Sequence, residues 1–127
     1  MPVISVTGDG GFMFNVQEMA TAVPHAIALV IIVFNNNQYS NVRHRQPTLY
    51  GNRVIASDLR NPDFPRLAES FGACGLRAET PGDLRRPLAE AVASGGPALI
   101  EVPGGDMPDP DAFRKLRRVR GTQAARR

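Results

Sequence analysis

Val3-Ile4-Ser5-Val6-Thr7-Gly8-Asp9-Gly10-Gly11 runs from a β-branched apolar segment straight into an acid set among glycines. Ala28-Leu29-Val30-Ile31-Ile32-Val33-Phe34 follows the same plan and ends on Asn35-Asn36-Asn37. Short runs this rich in Val and Ile read as buried strands, and the nearly continuous second run is what a strand covered on both faces requires. Two strands therefore each deliver polar groups at their carboxyl end. In an open parallel sheet, that edge is where ligands bind.

Working outward, residues 8–11 read as a turn and residues 14–23 as a helix. Val16, Met19, Ala20 and Val23 give that helix one apolar stripe, with Asn15 as N-cap, Glu18 three residues on, and Pro24 closing it. A helix start is expected within residues 38–46, while residues 48–59 carry no assignable pattern. Asn61-Pro62-Asp63 opens a helix to Phe71, with Phe64, Leu67, Ala68 and Phe71 inward and Gly72 at its C-cap. Residues 74–79 read as a third strand and residues 98–102 as a fourth. Between them lies a helix to Ser94, entered through Thr80-Pro81-Gly82-Asp83, in which Pro87 predicts a kink or a late start. Strands alternating with helices predict the α/β class: a parallel sheet flanked by helices on both faces.

The chain has 127 residues, 43% of them hydrophobic, enough for one core. No apolar stretch reaches the roughly 18 residues of a membrane span, and Met1-Pro2-Val3-Ile4 does not read as a signal peptide. Cys74 is the single cysteine, which fits a reducing cytoplasm and an inert thiol. The net charge of +3 hides an asymmetry. From Arg114 onward there are seven basic residues and no acid, whereas residues 1–113 carry eight basic and twelve acidic side chains. Residues 104–127 read as a Pro/Gly/Asp linker and a basic tail that stays solvated. The tail has no aromatic residue after Phe113 for base stacking, so no nucleic-acid role is expected.

The glycines do not fit two familiar phosphate motifs. A G-x-G-x-x-G fingerprint would need glycine where Met13 stands, and Lys115, the only lysine, is no Walker lysine. What remains is Asp9 with a partner, Asn36, 27 residues later on the neighbouring strand. One βαβ unit sets those two strand ends side by side. Magnesium takes octahedral oxygen ligands, commonly a few from protein with phosphate oxygens and water completing the shell. Asp9 and Asn36 offer an anionic and a neutral oxygen. Gly10 and Gly11 offer backbone N–H groups at the start of a helix, which suit a diphosphate.

Gly8-Asp9-Gly10 followed by Asn35-Asn36 resembles the cofactor motif of thiamine-diphosphate-dependent enzymes. Residues 11–23, Asn35 to Arg43, the Asn61-Pro62-Asp63-Phe64 segment to Gly72, and residues 96–102 are similar to the C-terminal diphosphate-binding domain of acetolactate-synthase-like members. The resemblance covers roughly residues 2–110. It implies that Asp9, Asn36 and the backbone carbonyl of Gln38 ligate Mg2+. It also implies that Gly10 and Gly11 contact the diphosphate, that Gly8 belongs to the cofactor-binding set, and that Tyr39 and Ser40 lie close to the cofactor. Ser40 stands where the family leads one to expect glycine. Residues 1–103 are then a partial thiamine-diphosphate-binding domain, short on its N-terminal side. The activating glutamate belongs to a separate pyrimidine-binding domain, supplied across an interface by a homo-oligomer or a partner chain. The implied reaction is decarboxylation or carboligation of a small 2-oxo acid, with this chain inactive alone.

Local chemistry offers plainer roles for other residues. Glu18 and Glu69 read as helix-surface or capping acids, His25 as a helix-end residue, His44 as solvated, and Phe12, Met13 and Phe14 as core. A non-catalytic truncated fragment and a basic-tailed interaction module stand as alternatives to the enzyme reading.

Overall fold

In the computed structural model, which describes residues 1–105, the two runs form β1 (Val3–Gly8) and β2 (Leu29–Asn35). They pair in parallel, with Val3 beside Leu29 and Gly8 beside Phe34. Between them come α1 (Asp9–Met13), a 3-10 turn at Val16–Glu18, and α2 (Met19–Ala22). After β2 follow α3 (Ser40–Leu49), α4 (Phe64–Phe71), β3 (Cys74–Arg77), α5 (Arg85–Ser94) and β4 (Ala98–Pro103). The four strands are all parallel, in the order β1-β2-β4-β3.

Strand alternation divides the interior into two cores. Ile31, Val33 and Leu99 face Phe12, Met19, Phe64 and Ala68, the side of α1, α2 and α4. Val30, Ile32, Ala98, Ile100 and Val102 face Ala91 with Leu84 and Leu88, the side of α5. This explains the unbroken apolar run of β2, since both of its faces are covered. The expected α/β class, with helices on both faces, is what the chain adopts.

α4 follows its sequence signals closely. The Asp63 carboxylate accepts the Arg66 N–H at 3.1 Å as N-cap, and Gly72 closes the helix in the left-handed region at φ 88°. Pro87 gives the predicted late start. A 3-10 turn, Pro81–Leu84, precedes α5, and Pro87 sits in the first α-helical turn, where a missing N–H breaks no bond.

Three expectations are corrected. The helix read over residues 14–23 is broken: α1 begins at Asp9, inside the expected turn, and the chain resets at Asn15 (φ −125°, ψ 7°) before the 3-10 turn and α2. Asn15 makes no capping bond, and its Nδ2 turns back to the Gly11 carbonyl at 3.4 Å. The second concerns β1, expected to be buried. It is an edge strand paired only with β2, and Val3, Ile4 and Val6 are 59%, 49% and 64% exposed. Met13 and Phe14 are also exposed, so of their aromatic cluster only Phe12 joins the core. Among the described residues no helix is long and apolar enough to cross a membrane. Most of the expected linker and the whole basic tail lie outside the described residues.

Candidate functional site

Because every strand runs the same way, four carboxyl ends share one edge of the sheet. A cleft of about 270 Å³ opens on that edge between the end of β1 and the start of α3. Gly8, Asp9, Gly10 and Gly11 form one wall and Asn36, Gln38, Tyr39 and Ser40 the other. The eight residues that the sequence singled out for a cofactor site therefore line one cavity. A larger hollow, about 810 Å³, lies near the other end of α3, lined by Gln46, Tyr50 and Arg53 among others, and holds none of them.

The asparagine run is shaped by its own amides. Asn35 Oδ1 accepts the Asn37 N–H at 3.1 Å, a local turn that asparagine favours. Asn37 takes φ 57°, a left-handed conformation that asparagine tolerates better than most residues. The strand thus ends within three residues and Asn36 enters the cleft. Its Nδ2 donates to Ser40 Oγ at 2.7 Å and to the Gly105 carbonyl at 3.4 Å, leaving Oδ1 without a donor among the described residues. Gln38 forms an isolated antiparallel bridge with Asp58, flanked by Tyr39 N–H to Ser57 O and Leu59 N–H to Asn37 O. In that pattern the Gln38 carbonyl itself takes no backbone donor. Ser40, where glycine was expected, opens α3 and holds the Asn36 amide.

Asp9 is 3% exposed. Its Oδ1 accepts the Gly10 N–H at 2.9 Å and its Oδ2 accepts Asn61 Nδ2 at 2.7 Å. Among the described residues no Arg, Lys or His forms a salt bridge with it. The expectation of a bare N–H at Gly10 is thereby corrected, because that amide is turned onto Asp9. Gly10 serves by having no side chain: a Cβ there would lie 2.5 Å from Cε1 of Tyr39. At Gly8 a Cβ would meet nothing within 4 Å, so the chain presents bare backbone to open space.

A buried carboxylate is ordinarily paired with a cation or coordinated to a metal. Asp9 has two neutral donors and lines a cleft together with Asn36, whose Oδ1 has no donor among the described residues, and Gln38, whose carbonyl takes no backbone donor among them. These hard oxygen donors, one anionic and two neutral, fit a magnesium ion that keeps water and phosphate oxygens in its remaining positions. Among the described residues no group of three or more His, Cys, Asp or Glu is placed to hold a metal, so a site here would join the single Asp9 carboxylate to amide and carbonyl oxygens.

Sequence reasoning missed a hydrogen-bonded chain behind this wall. Asn61 Nδ2 donates to Asp9 Oδ2 and also to Asn35 Oδ1 at 2.9 Å. Asn35 Nδ2 donates to Glu101 Oε1 at 2.6 Å. Glu101 is buried and its Oε2 accepts Nε and Nη2 of Arg77, at 2.9 and 2.7 Å. Arg77 Nη2 also reaches Asp63. Asp9, Asn35 and Arg77 stand at or just beyond the carboxyl ends of β1, β2 and β3, and Glu101 lies two residues inside that of β4. A polar residue on an otherwise apolar strand, Glu101 on β4, was the one signal available. The remaining titratable candidates stay apart. His25 is exposed, His44 is exposed with Nδ1 3.3 Å from the Ser40 carbonyl, and burial, with the charges of Glu90 and Glu69, pushes the Cys74 thiol up.

Comparison with known proteins bears on this arrangement. A family model described as thiamine pyrophosphate enzyme, C-terminal TPP binding domain, matches residues 1–102. An acetolactate synthase from Bacillus subtilis (strain 168) is 45% identical over 101 residues, covering 80% of this chain and 18% of that protein. A probable acetolactate synthase large subunit from Methanocaldococcus jannaschii is 41% identical over 101 residues, 79% of this chain and 17% of its own length. Among solved structures, benzoylformate decarboxylase from Polynucleobacter necessarius superimposes with a TM-score of 0.78 at 28% identity, over 86% of this chain and 20% of that one. The chain thus spans less than a fifth of the length of these curated relatives.

Proposed function

The chain belongs to the thiamine pyrophosphate enzymes and carries their C-terminal TPP binding domain in an acetolactate-synthase-like form, and from that membership we propose that it anchors the diphosphate of thiamine diphosphate through Mg2+. The observation that carries this reading is Asp9, a buried carboxylate without a cationic partner among the described residues, on a cleft shared with Asn36 and Gln38. In the proposal the Asp9 carboxylate, Asn36 Oδ1 and the Gln38 carbonyl hold the cation. Gly8 and Gly11 border the diphosphate, Gly10 seats the Tyr39 ring, and Tyr39 and Ser40 stand beside the cofactor.

Thiamine diphosphate supplies carbanion chemistry beside a carbonyl, and the protein supplies binding, orientation and electrostatics. The reaction we assign is decarboxylation or carboligation of a 2-oxo acid, in the cytoplasm. Residues 1–103 form the cofactor-binding unit and residues 104–127 a linker and basic tail. The glutamate that activates the cofactor comes from a pyrimidine-binding domain outside the described residues, in a homo-oligomer or a partner chain.

Calorimetric titration of the chain with thiamine diphosphate, with and without Mg2+, tests the reading. Binding is expected only with the metal, and Asp9→Ala is expected to abolish it. Equal affinity in the wild type and Asp9→Ala would reject the site.

A further inference from the structure

We infer that Asn61 is a positioning residue for the cation-binding carboxylate, and that Asn35 and Glu101 fix the direction in which it acts. This rests on the assignment of Asp9 as a metal ligand. Asn61 precedes Pro62, and the proline ring confines the preceding residue to extended backbone. Its half-buried side chain is therefore held where α4 begins, facing the end of the sheet. One amide nitrogen then bridges two strand ends, donating to Asp9 Oδ2 at 2.7 Å and to Asn35 Oδ1 at 2.9 Å.

The polarity of the bridge is set from behind. Glu101 accepts two Arg77 N–H groups on Oε2, so its place is fixed by charge. Oε1 demands a donor, which turns Asn35 Nδ2 toward it at 2.6 Å. Asn35 Oδ1 then faces Asn61 and can only accept. Asn61 in turn presents its amide nitrogen to Asp9. With Gly10 N–H on Oδ1, each Asp9 oxygen has one fixed donor, and its remaining lone pairs are left for a cation. Groups that hydrogen-bond a metal-binding side chain from behind orient it and raise its effectiveness, and their loss typically lowers metal affinity about 10–100-fold.

The experiment has two arms, both on the full chain. In the metal-free chain, the side-chain amide resonances of Asn61 are followed by NMR. Asp9→Ala is expected to shift them, and unchanged resonances would overturn the inference. In the second arm, Mg2+ is titrated calorimetrically at fixed thiamine diphosphate. Asn61→Ala is expected to weaken apparent Mg2+ affinity about 10-fold or more. Asn61→Leu, which keeps the branched shape of the side chain but has no hydrogen-bonding group, does the same if the alanine variant fails to fold. A purely structural role would instead lower the melting temperature and leave affinity intact in the folded fraction, which would overturn the inference. Wild-type chain that shows no Mg2+-dependent binding rejects the cofactor reading and the positioning role with it. Wild-type chain that binds beside an Asn61→Leu chain that binds equally well rejects the positioning role alone.

Discussion

Gly8 and Gly10, two residues apart, make opposite demands on a side chain. A Cβ on Gly10 would meet Tyr39 Cε1 at 2.5 Å and Cδ1 at 2.6 Å. Gly10→Ala must displace the ring, and overpacking of this sort costs about 1–3 kcal/mol, so a lower melting temperature and weaker cofactor binding are expected together. Gly8 has extended backbone (φ −86°, ψ 162°) and free space around it. Gly8→Ala is expected to leave the melting temperature unchanged or raised, since alanine restricts the unfolded chain, while weakening thiamine diphosphate binding. Unaltered affinity would remove the diphosphate from that wall. Ser57 offers a third test. Its hydroxyl is fully buried with no hydrogen-bond partner among the described residues. Ser57→Ala is expected to raise stability by up to about 1 kcal/mol, read from urea unfolding, because a buried polar group without a partner is unfavourable. Asp9 and Asn36 were legible at this scale because each sits at the tip of its own apolar run. Asn61 was not, because its partners lie 52 and 26 residues away, and Asn-Pro-Asp is fully explained locally as a helix entry.

At the scale of single elements, α4 ties stability to pH. The Asp63 carboxyl is held below the ordinary carboxylate range, chiefly by the Arg66 backbone N–H and then by the Arg77 guanidinium, against a contrary push from desolvation. A carboxyl depressed in the folded state contributes stability above its unfolded value, about 4. That contribution disappears as pH falls through the lower folded value. The melting temperature is therefore expected to drop as pH falls below about 4. Asp63→Asn, which retains a good N-cap, should flatten that part of the profile, and an unaltered acid limb would refute the assignment. The legibility of elements followed local chemistry. α4 carries its cap and glycine at fixed offsets and formed as read, whereas at the entry to α5 Thr80 makes no capping bond, its hydroxyl donating to Asp83 instead, and Pro81–Leu84 forms a 3-10 turn ahead of the helix. The α1–α2 segment carries a helical stripe, but two glycines at its head and the reset at Asn15 divide it. Composition could not show that α1 starts at the acid itself.

For the whole molecule, the outer edge of β1 is the conspicuous feature. Val3, Ile4 and Val6 lie exposed on an edge strand. Apolar composition marked β1 correctly as a strand, but composition alone could not show that it would lie at the exposed edge of the sheet. Long exposed edges invite pairing with other chains. The isolated chain is therefore expected to self-associate with rising concentration in light scattering, and Val6→Lys should reduce this, since lysine blunts edges. Identical scattering from the two proteins would exonerate β1. The parallel registry carries one more consequence. Gly8 is level with Phe34, and Asn35 with Pro103. A slip of one residue reverses which way every side chain on a strand points. β1 misaligned against β2 by a single step would part Asp9 from Asn61, whatever secondary structure survived. Retention on an immobilised diphosphate would then sort correctly threaded molecules from near misses that circular dichroism scores as equal.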